Sequence, residues 1–370
     1  MDQEALQKRY LMSQKFIIDN IEVDYEREAN NNTVIQSSPS NYNLIFETQS
    51  FSTVLEDMYE EGDIILIDKN VLELYPVGNK ASYVVEAIEE NKNIKTVLKF
   101  VEFLNSVSFN KKNKVIVIGG GITQDIGAFA SCIFKRGVRW ALFPTTLLSM
   151  CDSCIGGKTG INHLNGKNQL GLFSKPESVH ICFNFLGTLE DVDLKSGLGE
   201  ILKLYSLADR EYILFYDSVV SNGRVTDKKD YPELVKRALL IKKAVIEVDE
   251  YEHNIRKCLN YGHTLGHAVE ILSNYKISHG IAVAIGIVLV NKLFGFSDDL
   301  YNQMCLDLVD IELLKSVDLN GIMELVKKDK KTIGNKTTFA VLRQFGIMTF
   351  DPTIVDENLM NKVKNIIGNL

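Results

Sequence analysis

Apolar and polar positions follow two different rhythms along this chain. In the first half, residues 63–68 (Asp-Ile-Ile-Leu-Ile-Asp), 114–118 (Lys-Val-Ile-Val-Ile) and 138–143 (Val-Arg-Trp-Ala-Leu-Phe) are short, nearly continuous apolar runs. The first closes on Asp68, the second runs into Gly119-Gly120-Gly121, and the third ends at Pro144-Thr145-Thr146. Runs of this kind predict strands buried on both faces, and the longer helical stretches between them predict a parallel α/β sheet. After about residue 185 the rhythm changes to a 3.6-residue period over residues 193–207, 231–248, 259–272 and 281–294, which predicts a mainly helical second half. Residues 1–45 are polar, and Asn30-Asn31-Asn32-Thr33 and Ser37-Ser38-Pro39-Ser40 mark loop or loosely ordered segments. The expected organisation is an α/β domain over residues 1–186, opened by the polar segment 1–45, and a helical domain over residues 187–370.

Composition narrows the class. A chain of 370 residues exceeds what one core usually holds, which agrees with two domains. The formal net charge of -7 argues against a nucleic-acid partner and against an anionic membrane surface, while leaving room for a small anion held by a local cluster of Lys and Arg. The first residues, Met-Asp-Gln-Glu-Ala-Leu-Gln-Lys-Arg, have no apolar run of the secretory kind. The most apolar stretch, residues 280–290, is about half of the ~20 residues a bilayer requires and reads as a buried helix. Six cysteines are too few for a disulfide scaffold and fit a reducing cytoplasm. Cys151 and Cys154 have redox-motif spacing, but with no second pair they read as ordinary buried thiols.

Chemistry concentrates in a few stretches. Three of the six histidines, His263, His267 and His279, fall within seventeen residues. The first two are four apart and share one helix face, so with a third they can form a metal site or a proton relay; a bare pair of helix histidines is the rival reading. Gly119-Gly-Gly121-Ile-Thr-Gln-Asp125 follows a strand and opens a helix, where backbone can approach a pyrophosphate, although the spacing is not G-x-G-x-x-G. Thr145 and Thr146 end the neighbouring strand on the same sheet edge. Gly156, Gly157, Gly160 and Gly166 set Lys158, Lys167 and Asn168 on backbone turns suited to phosphate or carboxylate. Glu200 and Lys203 stand one helical turn apart, a spacing more often found in a surface ion pair. Lys242, Glu252, Arg256 and Asn260 run up to His263 at helix-compatible spacings. Glu with two His is also a familiar ligand set for catalytic zinc.

In these motifs, from about residue 63 to residue 331, the chain resembles 3-dehydroquinate synthase and its relatives, the sugar phosphate cyclases. The likeness runs through Gly119-Gly-Gly121, Lys135-Arg136-Gly137, Pro144-Thr-Thr-Leu-Leu148, the stretch from Asp152 to Asn162, Gly166-Lys-Asn168, Gly199-Glu-Ile-Leu-Lys203, Leu259-Asn-Tyr-Gly-His-Thr-Leu-Gly-His267, His279-Gly280 and Asp329-Lys330-Lys331. The resemblance implies an N-terminal NAD-binding α/β domain and a C-terminal helical metal- and substrate-binding domain, with the active site in the cleft between them. It implies Glu200, His263 and His279 as ligands of zinc, or of cobalt in its place. It implies an NAD site lined by Asp68, Glu89, Lys92, Gly119, Gly120, Gly121, Asp125, Thr145, Thr146, Lys158, Lys167 and Thr188. For catalysis it implies His267, Lys158, Lys203, Asp152, Lys242 and Glu252, and for substrate binding Arg136, Lys167, Asn168, Arg256, Asn260 and Lys331.

The implied reaction takes an anionic heptulosonate phosphate through transient oxidation by NAD, phosphate elimination, re-reduction and aldol closure, with no net redox change. A cytoplasmic homodimer in aromatic biosynthesis goes with it. The chain also departs from the family pattern. His279-Gly280-Ile281-Ala282-Val283 stands where relatives usually have His-Gly-Glu-Ala-Val, Gln124-Asp125 where they have Gly-Asp, and Ile88 where they have Gly before the glutamate. These departures suit a divergent branch that cyclises another phosphorylated sugar. Against that, His267, Lys242, Arg256 and the Gly156-Gly157-Lys158 motif are intact, which favours the carboxylated substrate. Metal-dependent polyol dehydrogenases share fold and NAD site but have no use for Lys158, Lys167 and Lys203. A non-catalytic relative predicts losses among the zinc and lysine positions, and all of them are present.

Overall fold

A computed structural model describes residues 13–28, 30–164, 166–328, 332–333 and 336–370. The chain divides after Leu189, three residues beyond the expected boundary. One compact unit comprises residues 30–189; the other joins residues 13–28 to Glu190–Leu370.

The polar segment 1–45 is therefore not one loose extension of the α/β domain. Strands β1 (Ser13–Ile18) and β2 (Ile21–Glu26) form an antiparallel hairpin of the second unit, joined by Asp19 and Asn20 with φ of 47° and 71°. Both central residues at positive φ is the type I′ geometry that tight hairpins need. Phe16, Ile18, Val23 and Tyr25 are buried while their neighbours on β2 face out. Strict alternation with one polar face is the signature of a half-solvated strand, and the polar half of it mimics a loop.

In the first unit follow β3 (Asn32–Ile35), β4 (Tyr42–Phe46), α1 (Phe51–Met58), β5 (Ile64–Asp68), α2 (Lys69–Leu74), β6 (Ser82–Val85), α3 (Ile94–Ser106), β7 (Lys114–Gly119), α4 (Gly121–Ile133) and β8 (Arg139–Pro144). The hairpin β9 (Lys158–His163) and β10 (Gly166–Phe173) precedes β11 (Ser178–Ile181). Among the described residues the main sheet has seven strands in the order β3-β4-β11-β8-β7-β5-β6, all neighbours parallel except β3 with β4. The chain steps from β5 outward to β6, then returns to β7 on the other side of β5. That reversal leaves a crevice beyond the carboxyl ends of β5 and β7, where open α/β sheets bind ligands. Asp68 and Gly119 are the last residues of those two strands. The glycine-bounded lysines, expected on loops, lie on or beside the β9–β10 hairpin instead.

The second unit is built on α5 (Asp191–Leu207), α6 (Arg210–Val219), α7 (Tyr231–Val248), α8 (His263–Leu272) and α9 (His279–Phe294). It also holds a sheet that the fading strand signal did not predict: β12 (Thr332–Ile333), β13 (Lys336–Gln344) and β14 (Ile347–Ile354), in the order β12-β13-β14-β1-β2. The helix expected over 259–272 starts only at His263, because Gly262 turns the chain at φ 77°. Residues 255–260 form a 3-10 turn, so Lys242, Glu252, Arg256 and Asn260 do not share one helix.

Helix α9 is the centre of this unit. Every residue from Gly280 to Asn291 is buried, which is what an all-round apolar helix requires. No helix among the described residues is long and apolar enough to cross a membrane. Three helices touch through glycine. A Cβ on Gly280 of α9 would lie 1.7 Å from the Ser196 carbonyl oxygen of α5, and one on Gly199 would lie 2.1 Å from the Gly280 oxygen. A Cβ on Gly286 would lie 1.9 Å from the Gly262 oxygen, and one on Gly266 of α8 would lie 2.6 Å from the Ala282 oxygen. Only the missing side chains allow backbones to approach this closely.

Candidate functional site

Those glycine contacts set the histidine cluster. Gly199 precedes Glu200, Gly262 precedes His263, Gly266 precedes His267, and Gly280 follows His279. Each candidate ligand thus sits beside a point where two backbones meet, so its position is fixed by packing. Ring centroids of His263, His267 and His279 are 5.1–5.4 Å apart. One ring nitrogen from each lies within 4.8 Å of the others. The Glu200 carboxylate is fully buried, with Oε1 3.2 Å from His279 Nε2 and 3.6 Å from His263 Nε2.

The structure brings together all four, with the three imidazoles at nearly equal separations. Tetrahedral ligands at about 2.0–2.1 Å from a zinc ion stand about 3.3 Å apart. The spacing from Glu200 Oε1 to the two Nε2 atoms matches that value. Oε1 faces the two imidazoles, while Oε2 is taken by the Lys203 ammonium. Two neighbours fix the ring orientations. Tyr261 O lies 3.1 Å from His263 Nδ1, and Glu270 Oε2 lies 3.2 Å from His279 Nδ1. With Nδ1 donating, each Nε2 presents its lone pair toward Glu200. The cluster can therefore hold a divalent ion through Glu200, His263 and His279, with His267 alongside.

Glu200 and Lys203 are not the surface pair that their spacing commonly means. Their side chains are 0% and 1% exposed, and the ammonium rests against Oε2. Burial opposes ionisation of Glu200, but Lys203 and then His279 outweigh it and hold the carboxyl down at about 2. His279, whose charged form burial also penalises, is carried up to about 10 by Glu200 and Glu270 when no metal competes. Two carboxylates around an imidazole make a strongly cation-seeking centre.

Two residues that hold candidate side chains in place escaped the sequence reading. Glu270 is one: replacing it by Gln removes the charge that orients His279, and zinc affinity is expected to fall 10–100-fold in a chelator competition. An unchanged affinity would mean that Glu270 does not orient the ligand. Asp249 is the other. Its carboxylate accepts from the backbone N–H groups of His253, Asn254 and Arg256 at 2.9, 2.7 and 2.9 Å, tying down the turn that carries Glu252 and Arg256. Neither stands in a motif; the first needed the helix phase and the second the loop path.

The remaining candidates of this unit are Lys242 and Arg256, both buried, Glu252, and Asn260, whose Nδ2 donates to Glu252 Oε1 at 3.0 Å. Glu252 adopts a left-handed φ of 61°. Such conformations cost energy in non-glycine residues and are held where the surrounding contacts demand them.

In the other unit, Asp68 ends β5 and accepts from Asn70 N at 3.1 Å, and burial raises its carboxyl above the ordinary range. Gly120 caps α4, and among the described residues no side chain caps that helix, so its first amides remain available to an anion. A Cβ on Gly119 would strike Thr123, and one on Gly120 would press on Thr146, but one on Gly121 would meet nothing within 4 Å. Protein packing therefore gives no reason for glycine at 121, whereas close approach of a pyrophosphate does. Thr145 and Thr146 follow β8, while Thr188 donates to Phe185 O at 3.0 Å.

Glu89, Lys92, Asp125 and Lys167 form two ion pairs. Lys92 Nζ is 2.5 Å from Asp125 Oδ2, and Lys167 Nζ is 3.8 Å from Glu89 Oε1. Asp125 also takes Gly160 N at 3.2 Å and, through its carbonyl, Thr159 Oγ1 at 3.0 Å. Burial pushes the Asp125 carboxyl up even though Lys92 opposes it. Lys158 opens β9; Arg136 and Asn168 take left-handed φ values of 64° and 51°. Asp152 stands on a π-helical turn, Ser149–Ser153. Cys151 and Cys154 are buried thiols, in no disulfide, that donate to Leu148 O at 3.6 Å and to Met150 O at 3.3 Å. Lys331 lies outside the described residues.

Comparison with known proteins gives a family and a fold. A family model described as 3-dehydroquinate synthase N-terminal matches residues 82–196, and one described as 3-dehydroquinate synthase C-terminal matches residues 197–332. The 3-dehydroquinate synthase of Pelagibacter ubique (strain HTCC1062) is 36% identical over 308 residues, covering 76% of this chain and 83% of the relative. Among solved structures, 2-deoxy-scyllo-inosose synthase complexed with carbaglucose-6-phosphate, NAD+ and Co2+ superposes with a TM-score of 0.78 at 20% identity, over 90% of this chain and 99% of the other. The 2-epi-5-epi-valiolone synthase of Streptomyces hygroscopicus subsp. jinggangensis 5008, with NAD+ and Zn2+ bound, gives 0.75 at 22%, over 90% and 98%. At these identities the structural likeness is one of fold.

Proposed function

Because the chain belongs to the 3-dehydroquinate synthase family of carbocycle-forming phosphate lyases, we propose that it converts 3-deoxy-arabino-heptulosonate 7-phosphate to 3-dehydroquinate and phosphate. The observation that carries this reading is the cluster of Glu200, His263, His267 and His279, its carboxylate fully buried and His267 and His279 half-buried, in a unit that also buries Lys203, Lys242 and Arg256. A substrate bearing both phosphate and carboxylate suits a site rich in Lys and Arg.

In this reading Glu200, His263 and His279 hold zinc or cobalt, and residues 30–189 form the NAD-binding part. NAD lies across the crevice at Asp68 and Gly119–Gly121, with Glu89, Lys92, Asp125, Thr145, Thr146, Lys158, Lys167 and Thr188 around it. The relatives of like fold that were solved with NAD+ and Co2+ or Zn2+ support this. When bound, NAD supplies a reversible hydride acceptor and the divalent ion a Lewis acid at a substrate hydroxyl. His267, one turn beyond His263, takes and returns the proton of that hydroxyl. Lys203, Lys242 and Arg256, with Arg136, Asn168, Asn260 and Lys331, grip the substrate anions. Asp152 and Glu252 orient its hydroxyl groups.

A second reading, a specialised cyclase for another phosphorylated sugar, is favoured by Ile281. This residue is buried, next to Gly280, where the relatives usually carry an acid. Phosphate release from 3-deoxy-arabino-heptulosonate 7-phosphate set against sedoheptulose 7-phosphate separates the two. The first substrate is expected to turn over at least 100-fold better in kcat/KM; turnover of the second alone replaces the main reading.

A further inference from the structure

Gln124 is buried on the first turn of α4. Both polar atoms of its amide bond one residue of another element. Nε2 donates to Ser153 O at 2.7 Å, and Oε1 accepts from Ser153 Oγ at 2.9 Å. Ser153 closes the π-helical turn Ser149–Ser153, whose wide winding is marked by Cys154 N donating to Ser149 O at 3.1 Å. Carbonyls at the end of a helical turn lack an intrahelical partner, and Gln124 provides one across space. Wide turns of this kind are poorly self-supporting and recur at functional sites.

The adjacent Asp125 fastens the same strip further along. It holds Gly160 through its carboxylate and Thr159 through its carbonyl. Between these two fixings lie Gly156 and Gly157, at φ 97° and 65°, a turn that only glycine takes without strain, followed directly by Lys158. Asp152 is one residue before the first fixing, and Lys158 one residue before the second. A glycine at 124 would remove the first fixing and leave the Ser153 carbonyl and hydroxyl to find other partners.

We propose that Gln124 is a positioning residue: its two-point clasp on Ser153 sets the π-turn so that Asp152 is presented to the sugar phosphate in one orientation. This rests on the substrate-binding role proposed above for Asp152. Gln124 touches neither substrate nor cofactor itself in this account.

The test uses the full-length zinc- and NAD-loaded protein with Gln124→Met, which keeps the volume and removes both hydrogen bonds, and with Ser153→Ala, which removes one. For Gln124→Met, KM for 3-deoxy-arabino-heptulosonate 7-phosphate is expected to rise on the order of tenfold with kcat within threefold, and the dissociation constant for NAD within twofold. Ser153→Ala is expected to show a smaller rise, and the double variant no more than Gln124→Met alone. Hydrogen–deuterium exchange is expected to quicken over residues 149–157 and to stay unchanged over β7 and β8. Equal losses in kcat and melting temperature without a KM change, or unaltered exchange over 149–157, would overturn the proposal. If the wild-type chain turned over no heptulosonate phosphate, the substrate reading would fail by itself, and the exchange measurement would still decide whether Gln124 holds the turn.

Discussion

Replacing Glu200 by glutamine is expected to abolish divalent-metal binding and carbocycle formation together, and to destabilise the metal-free protein by about 3–5 kcal/mol. The side chain keeps its shape, so the effect isolates charge. Glu200 is fully buried against Lys203, and its other oxygen faces His263 and His279. A neutral amide leaves a buried ammonium beside a group that no longer compensates it, and breaking such a pair costs far more than losing a surface pair. Loss of the ion removes several kcal/mol of transition-state stabilisation, so activity falls about a thousandfold or more. The combination Glu200→Gln with Lys203→Met is expected to regain most of the stability and none of the metal. Metal content by mass spectrometry and melting by scanning fluorimetry read the two effects separately. A Glu200→Gln protein that retains stoichiometric zinc would remove Glu200 from the ligand set.

Gly280→Ala is expected to be nearly as damaging, although it adds one methyl group away from the metal. The new Cβ would sit 1.7 Å from the Ser196 carbonyl oxygen, a backbone atom that no rotamer change can move. Helices α5 and α9 must then part by roughly 1 Å, which a close-packed interior resists. Glu200 rides on one helix and His279 on the other, 3.2 Å apart. Metal sites tolerate errors of about 0.2 Å in ligand distance, so zinc affinity is expected to fall on the order of 100-fold, with a loss of about 3 kcal/mol in stability. Gly368→Ala serves as the control, since a Cβ there meets nothing within 4 Å. It is expected to be neutral or slightly stabilising. If Gly280→Ala melted and bound zinc like the control, glycine contact would not be what places the ligands.

The parallel sheet was legible because fully buried strands are continuous apolar runs, and β5, β7 and β8 start and end within one residue of the predicted segments. The histidines were legible for a similar reason: chemistry of that kind needs particular side chains at fixed helical offsets. Other features leave no such mark. The hairpin β1–β2 alternates with a polar face, so its residues look like loop, and its partner β14 lies more than 300 residues away along the chain. Glycine-mediated helix contacts depend on which helices meet, so Gly199, Gly280 and Gly286 read as helix weaknesses until their neighbours are known. Burial of Lys203 is invisible for the same reason, because an i, i+3 acid–base pair has one spelling at the surface and in a core. Glu270 orients His279 only because α8 and α9 are antiparallel neighbours across a short turn, a fact of packing.

The central claim, a cyclase that oxidises and reduces the same substrate in one cycle, is tested most directly by cofactor balance. The zinc-loaded protein is incubated with 3-deoxy-arabino-heptulosonate 7-phosphate in large excess over both enzyme and NAD. Phosphate, 3-dehydroquinate and NADH are then followed in the same tube. The expected result is one phosphate and one carbocycle per substrate, many turnovers per NAD, and no net NADH. NADH accumulating with product, or phosphate release that continues unchanged after NAD is stripped away, would contradict it.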